Sequence, residues 1–288
     1  MKIKRVSHWG DVTGYLDAWQ TLAASNPMMS PQWIVPWWRN YQENSARAEL
    51  SLLIGLVDDQ LVGIAPFYVV KKRLTKQLRF LGDGHACSDH MTLLSQDDCS
   101  EAFADEVANW LNNEAGKTWN AAEWESVDAD DVAMCELVNQ LDKESFSVYR
   151  RNSISSWQVA LSPTWEEYLS RLSKNHRKRC RKWHRDWIDS GKLQVISVTE
   201  VDQFSDAFEN LCRLHNARRK SIGSAGAFED KSFYAFHNDC ARELMATGQL
   251  RINLLMSDAQ SIAAEYQLSS QDTVFSCLLY TSPSPRDS

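Results

Sequence analysis

The residues of this 288-residue sequence that are best suited to chemistry include a histidine followed by two arginines, His215, Arg218 and Arg219. An unperturbed imidazole titrates near neutral pH, so His215 could take a proton from an attacking amine. The two guanidinium groups could hold a phosphate or a carboxylate through paired hydrogen bonds. The alternatives are a hydrogen-bonded core histidine, since His215 shares a helical face with Phe208 and Leu211, and solvent-exposed arginines.

A strongly basic segment lies upstream of this histidine. Residues 171–185 contain eight basic residues and no acid, although the whole chain has a net charge of −7. Such a segment could bind an anionic partner, namely a phosphate-bearing small molecule, an anionic polymer or nucleic acid. Five of the charges fall within residues 177–182 and surround the helix instead of forming one stripe, which argues against specific reading of a nucleic-acid groove. The alternative is a solvated helix on which Cys180, Trp183 and Trp187 pack inward.

A third candidate region is the turn-rich loop at residues 82–89. Its glycines could let backbone N–H groups cradle an anion. His85, Cys87, Asp89 and His90 are potential metal ligands, but four such residues within six positions do not match a known ligand spacing, so we expect no metal. Asp89 is retained as a candidate for substrate binding.

The elements that must position these residues follow from helical and strand periodicity. In the second part of the chain, a capping box at Thr164 predicts a helix that runs through the basic segment to Gly191. We then expect a strand at 193–198, a helix carrying His215, a helix at 233–245, a hairpin at 250–256 and 262–268, and a strand from 273.

One acid stands out in the predicted hairpin. Ile262, Ala264, Tyr266 and Leu268 share one face of the strand, so Glu265 points to the other face. A solvent-facing or salt-bridged strand acid is the ordinary interpretation of such a position.

The first part of the chain has the pattern of a mixed α/β domain. Apolar runs at 50–57 and 61–70 predict a hairpin, with further strands at 78–81, 119–127 and 146–161 and helices around 103–111 and 132–141. Trp33, Trp37 and Trp38 recur at helical spacing, which favours core packing over stacking on a sugar or peptide.

Length and composition limit the class of protein. A chain of this length accommodates about two domains, and 43% hydrophobic with 24% charged residues is typical of a folded protein. No run of about 18 apolar residues predicts a membrane span. Because there is no secretory leader pattern and no C-x-x-C pair among the seven cysteines, we expect a cytoplasmic protein without a disulfide framework.

Taken in order, several short motifs resemble the GNAT-superfamily acyltransferases of the cellulose-biosynthesis type, which are related to the Fem-type peptidoglycan aminoacyltransferases. The motifs in the second part are WEEYL at 165–169, LSKNHRK at 172–178, LHNARR at 214–219, GAF at 226–228, GQL at 248–250 and AAEY at 263–266. Those in the first part are SPQW at 30–33 and GIAP at 63–66. The resemblance covers about residues 1–276.

The resemblance implies an α/β fold of two GNAT-like halves with mostly antiparallel sheets, at residues 1–161 and 162–276. It implies transfer of an acyl group from an acyl-CoA, usually acetyl-CoA, to an amine or hydroxyl of a cell-envelope or polysaccharide-related acceptor. Glu265 or His215 would accept the proton, and Arg218, Arg219, Phe228, Tyr266 and Asp89 would bind substrate. Alternatives are Fem-type transfer from aminoacyl-tRNA and a binding module or inactive product.

The C-terminal residues 277–288 differ from ordinary protein sequence. The string CLLYTSPSPRD at 277–287 matches one reading frame of a sequencing-library adapter, so we expect this segment to be foreign and the second half to be truncated after Ser276. The helix that would hold the donor pyrophosphate should follow the strand that begins near Thr273.

Overall fold

The structure is a computed structural model that describes residues 1–42, 45–144, 146–151 and 155–281. The chain forms two compact units. The first contains Met1–Asn152, Glu229–Gln249 and Leu268–Phe275, and the second contains Ser153–Phe228, Leu250–Gln267 and Ser276–Ser288. The helix at residues 231–246 therefore belongs to the first unit, although it lies late in the sequence.

The first unit contains two four-stranded sheets. Strands β1 (Lys2–Val6), β3 (Leu52–Val57), β4 (Gln60–Ala65) and β7 (Leu94–Ser95) form one sheet in the order β1-β3-β4-β7. Strands β2 (Ala48–Leu50), β5 (Phe67–Lys71), β6 (Lys76–Phe80) and β8 (Ala121–Ala122) form the other in the order β2-β5-β6-β8. All these pairs are antiparallel except β6 with β8, which is parallel.

The described part of this unit also contains five α-helices: α1 (Leu16–Leu22), α2 (Pro31–Tyr41), α3 (Ser100–Glu114), α4 (Val132–Lys143) and α8 (Lys231–Ala246). Helix α2 packs against α8, where Trp33 meets Phe236 edge to face with ring centroids 4.9 Å apart. Trp33 and Trp37 are at most 1% exposed and Trp38 is 8% exposed, so the prediction that they pack in the core is confirmed.

A pair of glycines lets α3 lie close to the first sheet. Gly55 in β3 and Gly63 in β4 are direct cross-strand partners, and the ring of Phe103 covers both. A Cβ at Gly63 would lie 2.6 Å from that ring. The two glycines thus make the space that a large aromatic residue fills, which brings helix and sheet into contact.

The second unit is built on a third sheet, in the order β12-β11-β10-β9. Its strands are β9 (Leu193–Val198), β10 (Leu250–Ser257), β11 (Gln260–Ser269) and β12 (Val274–Thr281). Helix α7 (Phe204–Ser221) packs against β10. Ala264, Tyr266 and Leu268 are buried, which confirms the predicted inward face of β11.

The basic segment forms shorter helices than predicted. Helix α5 (Trp165–Arg171) is followed by α6 (Lys174–Trp183) and a π-helix (His184–Asp189), so one continuous helix from Thr164 to Gly191 is wrong. The side chain of Ser173 accepts a hydrogen bond from the N–H of His176 and thereby starts a new helix. The N-cap role of Thr164 is confirmed, since its Oγ1 accepts from the N–H of Glu167.

Three strand predictions also differ from the structure. The run at 61–70 is divided at Pro66 into β4 and β5, which belong to different sheets. Of the segment 119–127 only Ala121–Ala122 is a strand, and 146–161 has no strand among its described residues. In that segment the side chains of Tyr149 and Trp157 are 91% and 97% exposed, so no described residue packs closely on them.

The predicted α/β fold with mostly antiparallel sheets is confirmed. Residues 277–281 form the end of the edge strand β12, while Ser282–Ser288 and any helix after this strand lie outside the described residues. Among the residues that the structure describes, no helix is both long and apolar enough to cross a membrane.

Candidate active site

Glu265 lies on an inner strand of the second unit's sheet. The alternation of β11 turns its carboxylate away from the buried face, so the side chain is half-buried. Oε1 accepts a hydrogen bond from Ser276 Oγ at 2.8 Å, and Oε2 is 3.5 Å from Asn253 Nδ2. The carboxylate is therefore held by neighbours on both adjacent strands and keeps acceptor capacity for a further proton donor.

Polar side chains form a row across all four strands around this acid. Asn253 Nδ2 donates to Gln267 Oε1 at 2.9 Å, and Ser197 Oγ donates to Asn253 Oδ1 at 2.6 Å. Arg251 Nε also donates to Gln267 Oε1, at 2.8 Å. Sequence reasoning missed this row, although the alternation of Arg251 and Asn253 with the buried Leu250, Ile252 and Leu254 was a usable signal.

His215 is buried in α7, at 3% exposure, and is committed to a structural hydrogen bond. Its Nε2 accepts from the backbone N–H of Ala227 at 2.7 Å. Because an amide N–H can only donate, the imidazole proton sits on Nδ1, which has no hydrogen-bond partner among the described residues. Burial, with the positive charge of Arg219, lowers the pKa of His215. The imidazole is thus neutral near pH 7, but its lone pair is occupied.

The loop whose Ala227 N–H donates this hydrogen bond packs closely against α7. A Cβ at Gly226 would lie 2.0 Å from Asn216 Oδ1 and 3.0 Å from the Asn216 Cα, so only glycine permits this approach. Phe228, which is buried, meets His215 edge to face with ring centroids 5.1 Å apart. The motifs at 214–219 and 226–228 are therefore in contact, through one hydrogen bond and one edge-to-face ring contact.

The remaining candidate residues of the second unit differ in burial and in their neighbours. Arg218 and Arg219 are half-buried near the end of α7, and Arg219 donates to Ser224 Oγ at 3.1 Å. Tyr266 is fully buried on the inward face of β11. The structure thus brings His215, Arg219 and Phe228 together around one loop. Among the described residues, no hydrogen bond joins Glu265 to His215.

Asp89 belongs to the first unit, where its carboxylate is on the surface. Partial burial raises the pKa of Asp89, an effect that His90 opposes and Asp128 increases. The C=O of Asp89 accepts from Asn26 Nδ2 at 3.1 Å. No group of three or more metal-ligating side chains occurs in the described part of the chain.

The loop at 82–89 is fixed by its own contacts. Ser88 Oγ donates to the C=O of Gly82 at 2.6 Å and accepts from Trp33 Nε1 at 2.8 Å. Asp83 accepts from Tyr68 Oη at 2.9 Å and forms an ion pair with Arg79. The side chains of Asp83 and Ser88 therefore stabilise the first unit through hydrogen bonds and an ion pair.

Comparison with known proteins identifies part of the chain. Residues 174–286 match the model of a family described as "Acetyltransferase (GNAT) domain". The crystal structure of FemX superposes with a TM-score of 0.61 at 9% identity, covering 100% of this chain and 82% of that one. The crystal structure of a conserved protein of unknown function from Bacteroides thetaiotaomicron superposes with a TM-score of 0.49 at 9% identity, covering 97% of this chain and 80% of that one. No curated protein matches.

The matched residues include α6, α7, the whole third sheet and the polar row around Glu265. At 9% identity the likeness to FemX concerns the fold alone. Residues 174–286 of this chain are thus similar to GNAT-type acetyltransferase domains, and the chain has a fold similar to that of FemX.

Proposed function

We propose that this protein transfers an acetyl or other acyl group from acyl-CoA to an amine or hydroxyl of a cell-envelope or polysaccharide-related acceptor. The observation that carries the proposal is Glu265, a half-buried acid on an inner strand of a domain that matches the GNAT acetyltransferases. The cell-envelope acceptor rests on the motif resemblance described above.

Glu265 is the proton acceptor in this proposal. The acceptor nitrogen or oxygen attacks the thioester carbonyl, the C–S bond breaks, and CoA leaves as a thiolate. Glu265 takes the proton that the attacking atom loses, directly or through water, and the thiolate is then protonated. A backbone N–H of the sheet would stabilise the oxyanion. Glu265 is preferred to His215 because the Nε2 lone pair of His215 is already used by Ala227.

The other candidate residues bind substrate or shape the site in this proposal. In this proposal Arg218 and Arg219 bind an anionic group of a substrate near the end of α7, and Asp89 is kept as a substrate-binding candidate within the first unit. Phe228 and Tyr266 are buried, so we propose that they shape the site by packing rather than by contact with a substrate.

A second candidate is Fem-type transfer from aminoacyl-tRNA to the same kinds of acceptor. The observation that favours it is the cationic helix α6, which contains six lysines and arginines within ten residues. In this alternative the helix would contact RNA phosphates, and binding would weaken steeply with salt.

A titration with the two donors tests the proposal. Calorimetry of the full chain with acetyl-CoA should give a saturable heat that free acetate does not, and acetyl-CoA should raise the melting temperature. If neither occurs while aminoacyl-tRNA binds at low salt, the Fem-type alternative replaces the proposal. A chain that binds neither donor contradicts both.

A further inference from the structure

We propose that α6 with the π-helix that follows it is a docking surface for an anionic lipid bilayer. His176, Cys180, Trp183 and Trp187 recur at intervals of four, three and four residues and so lie along one side of the helix. The indoles of Trp183 and Trp187 are 59% and 40% exposed. The expectation that Trp183 and Trp187 pack inward is therefore wrong, while Cys180 is half-buried, and the two indoles form an exposed apolar stripe on the second unit.

Cations surround this stripe. The other sides of this helical segment carry the acids Asp186 and Asp189 and seven lysines and arginines: Lys174, Arg177, Lys178, Arg179, Arg181, Lys182 and Arg185. Lys174, Lys178 and Lys182 are exposed and have no ion-pair partner in the described part of the chain. Bulky apolar side chains on one side with cations around them are typical of a helix that lies in the membrane interface plane.

A groove beside the stripe supplies space for a headgroup. It has a volume of about 600 Å³ and is lined by Trp183, Trp187 and the cations Lys182, Arg185 and Lys192, together with Asp186 and Ser190. A lipid phosphate in this groove would meet positive charge while the indoles reach the boundary of the acyl chains. Tryptophan prefers this depth because its ring is apolar and its N–H is polar.

The arrangement of the rings favours a membrane over single-stranded nucleic acid. Bases bind by stacking on free aromatic faces. Trp183 and Trp187 instead stack on each other, with centroids 5.9 Å apart and an interplanar angle of 29°. The ammonium of Lys192 also lies 5.4 Å from the centroid of the Trp187 ring. A base would have to displace these contacts, whereas insertion into an interface leaves them in place.

The experiment is co-sedimentation of the full chain with vesicles of phosphatidylglycerol and phosphatidylcholine, and with phosphatidylcholine alone. We expect binding to the anionic vesicles only, reversed by high salt. The double variants W183S/W187S and K178E/K182E should each lower the partition coefficient at least roughly tenfold. The matched control K2E/K4E makes the same change in net charge at exposed lysines of β1 and should stay within about twofold.

Circular dichroism and melting curves identify any variant that does not fold, and only folded variants are compared. Absence of binding to anionic vesicles overturns the proposal, as does an equal loss of binding in K2E/K4E. Tighter binding to polyuridylate that is lost in both helix variants would assign the surface to nucleic acid. A dimer that W183S/W187S dissociates would assign it to a second copy. The vesicle result does not depend on which acyl donor the protein uses.

Discussion

Tryptophans in the two units have opposite surroundings. Trp19, Trp33 and Trp37 of the first unit are at most 1% exposed, whereas Trp157 and Trp183 of the second are 97% and 59% exposed. The spacing of Trp33 and Trp37 resembles that of Trp183 and Trp187. The decisive difference is the second layer: α8 packs on α2, whereas Trp183 and Trp187, which stack on each other, remain 59% and 40% exposed. Helical spacing therefore predicts which residues share a face, but not whether that face is covered.

The largest expected effect separates the two environments directly. Trp33→Ala removes a fully buried indole and its hydrogen bond to Ser88, and should lower the free energy of unfolding by about 3–5 kcal/mol. Trp183→Ala should change it by no more than about 0.5 kcal/mol. Urea denaturation measures both. Similar losses of unfolding free energy for the two variants would mean that Trp183 is buried in solution. The tryptophans of the two units would then not differ in their surroundings.

A smaller loss is expected where helix and sheet meet in the first unit. Gly63→Ala would place a Cβ against the Phe103 ring and should cost about 1–3 kcal/mol of stability. Gly14→Ala is the matched control, since nothing lies within 4 Å of a Cβ there. Thermal unfolding of both variants checks the prediction. Equal melting temperatures for the two variants would show that the contact of α3 with β4 is looser than described.

The smallest effect concerns a buried polar residue of the second unit. Burial lowers the folded-state pKa of His215, so the unfolded chain takes up the proton first as pH falls. The stability that neutral His215 contributes is therefore present above the unfolded-state pKa of about 6.5 and is lost as pH falls below it. His215→Gln should flatten the dependence of unfolding free energy on pH between 7 and 5, and His8→Gln, at an exposed position, should not. Identical slopes for wild type and His215→Gln would contradict the buried, neutral state.

Sequence periodicity predicted those parts of the fold that pack on a second layer. The hairpin of β3 and β4, the inward face of β11 and the core tryptophans of α2 were all predicted correctly. The predicted element boundaries were wrong where a proline or a helix-capping residue interrupts a longer pattern. Pro66 divides one apolar run into strands of two sheets, and Ser173 starts a new helix within the basic segment. Segment 146–161 has alternating residues but no sheet to join in its described part.

The candidate site could be predicted only in part. Alternation placed Glu265 opposite the buried face of β11. The contact of His215 with Phe228 was not predicted, since the two residues belong to separate motifs. The pairing of β9 with β10, which brings Ser197 beside Asn253, depends on register and has no local sequence signal. The hydrogen bond from the backbone N–H of Ala227 to His215 Nε2 could not be predicted from residue types, because every residue other than proline has such an N–H.

The expectation that residues 277–288 are foreign stays a prediction. Residues 277–281 extend β12 in the structure, and a strand can form from many sequences. Sequencing the gene beyond the codon for Ser276 tests it: a different natural continuation is expected, and an unchanged one would refute it.

The central claim is that Glu265 accepts the proton in acyl transfer from CoA, and the rate of a Glu265→Gln variant tests it most directly. Hydrolysis of acetyl-CoA, with water as the acceptor, can be followed by chromatography as release of CoA. We expect Glu265→Gln to lower the rate by about 10²-fold or more, with donor affinity unchanged. Glu200→Gln, at an exposed acid of the same unit, should keep the wild-type rate. A Glu265→Gln protein with the wild-type rate would contradict the account.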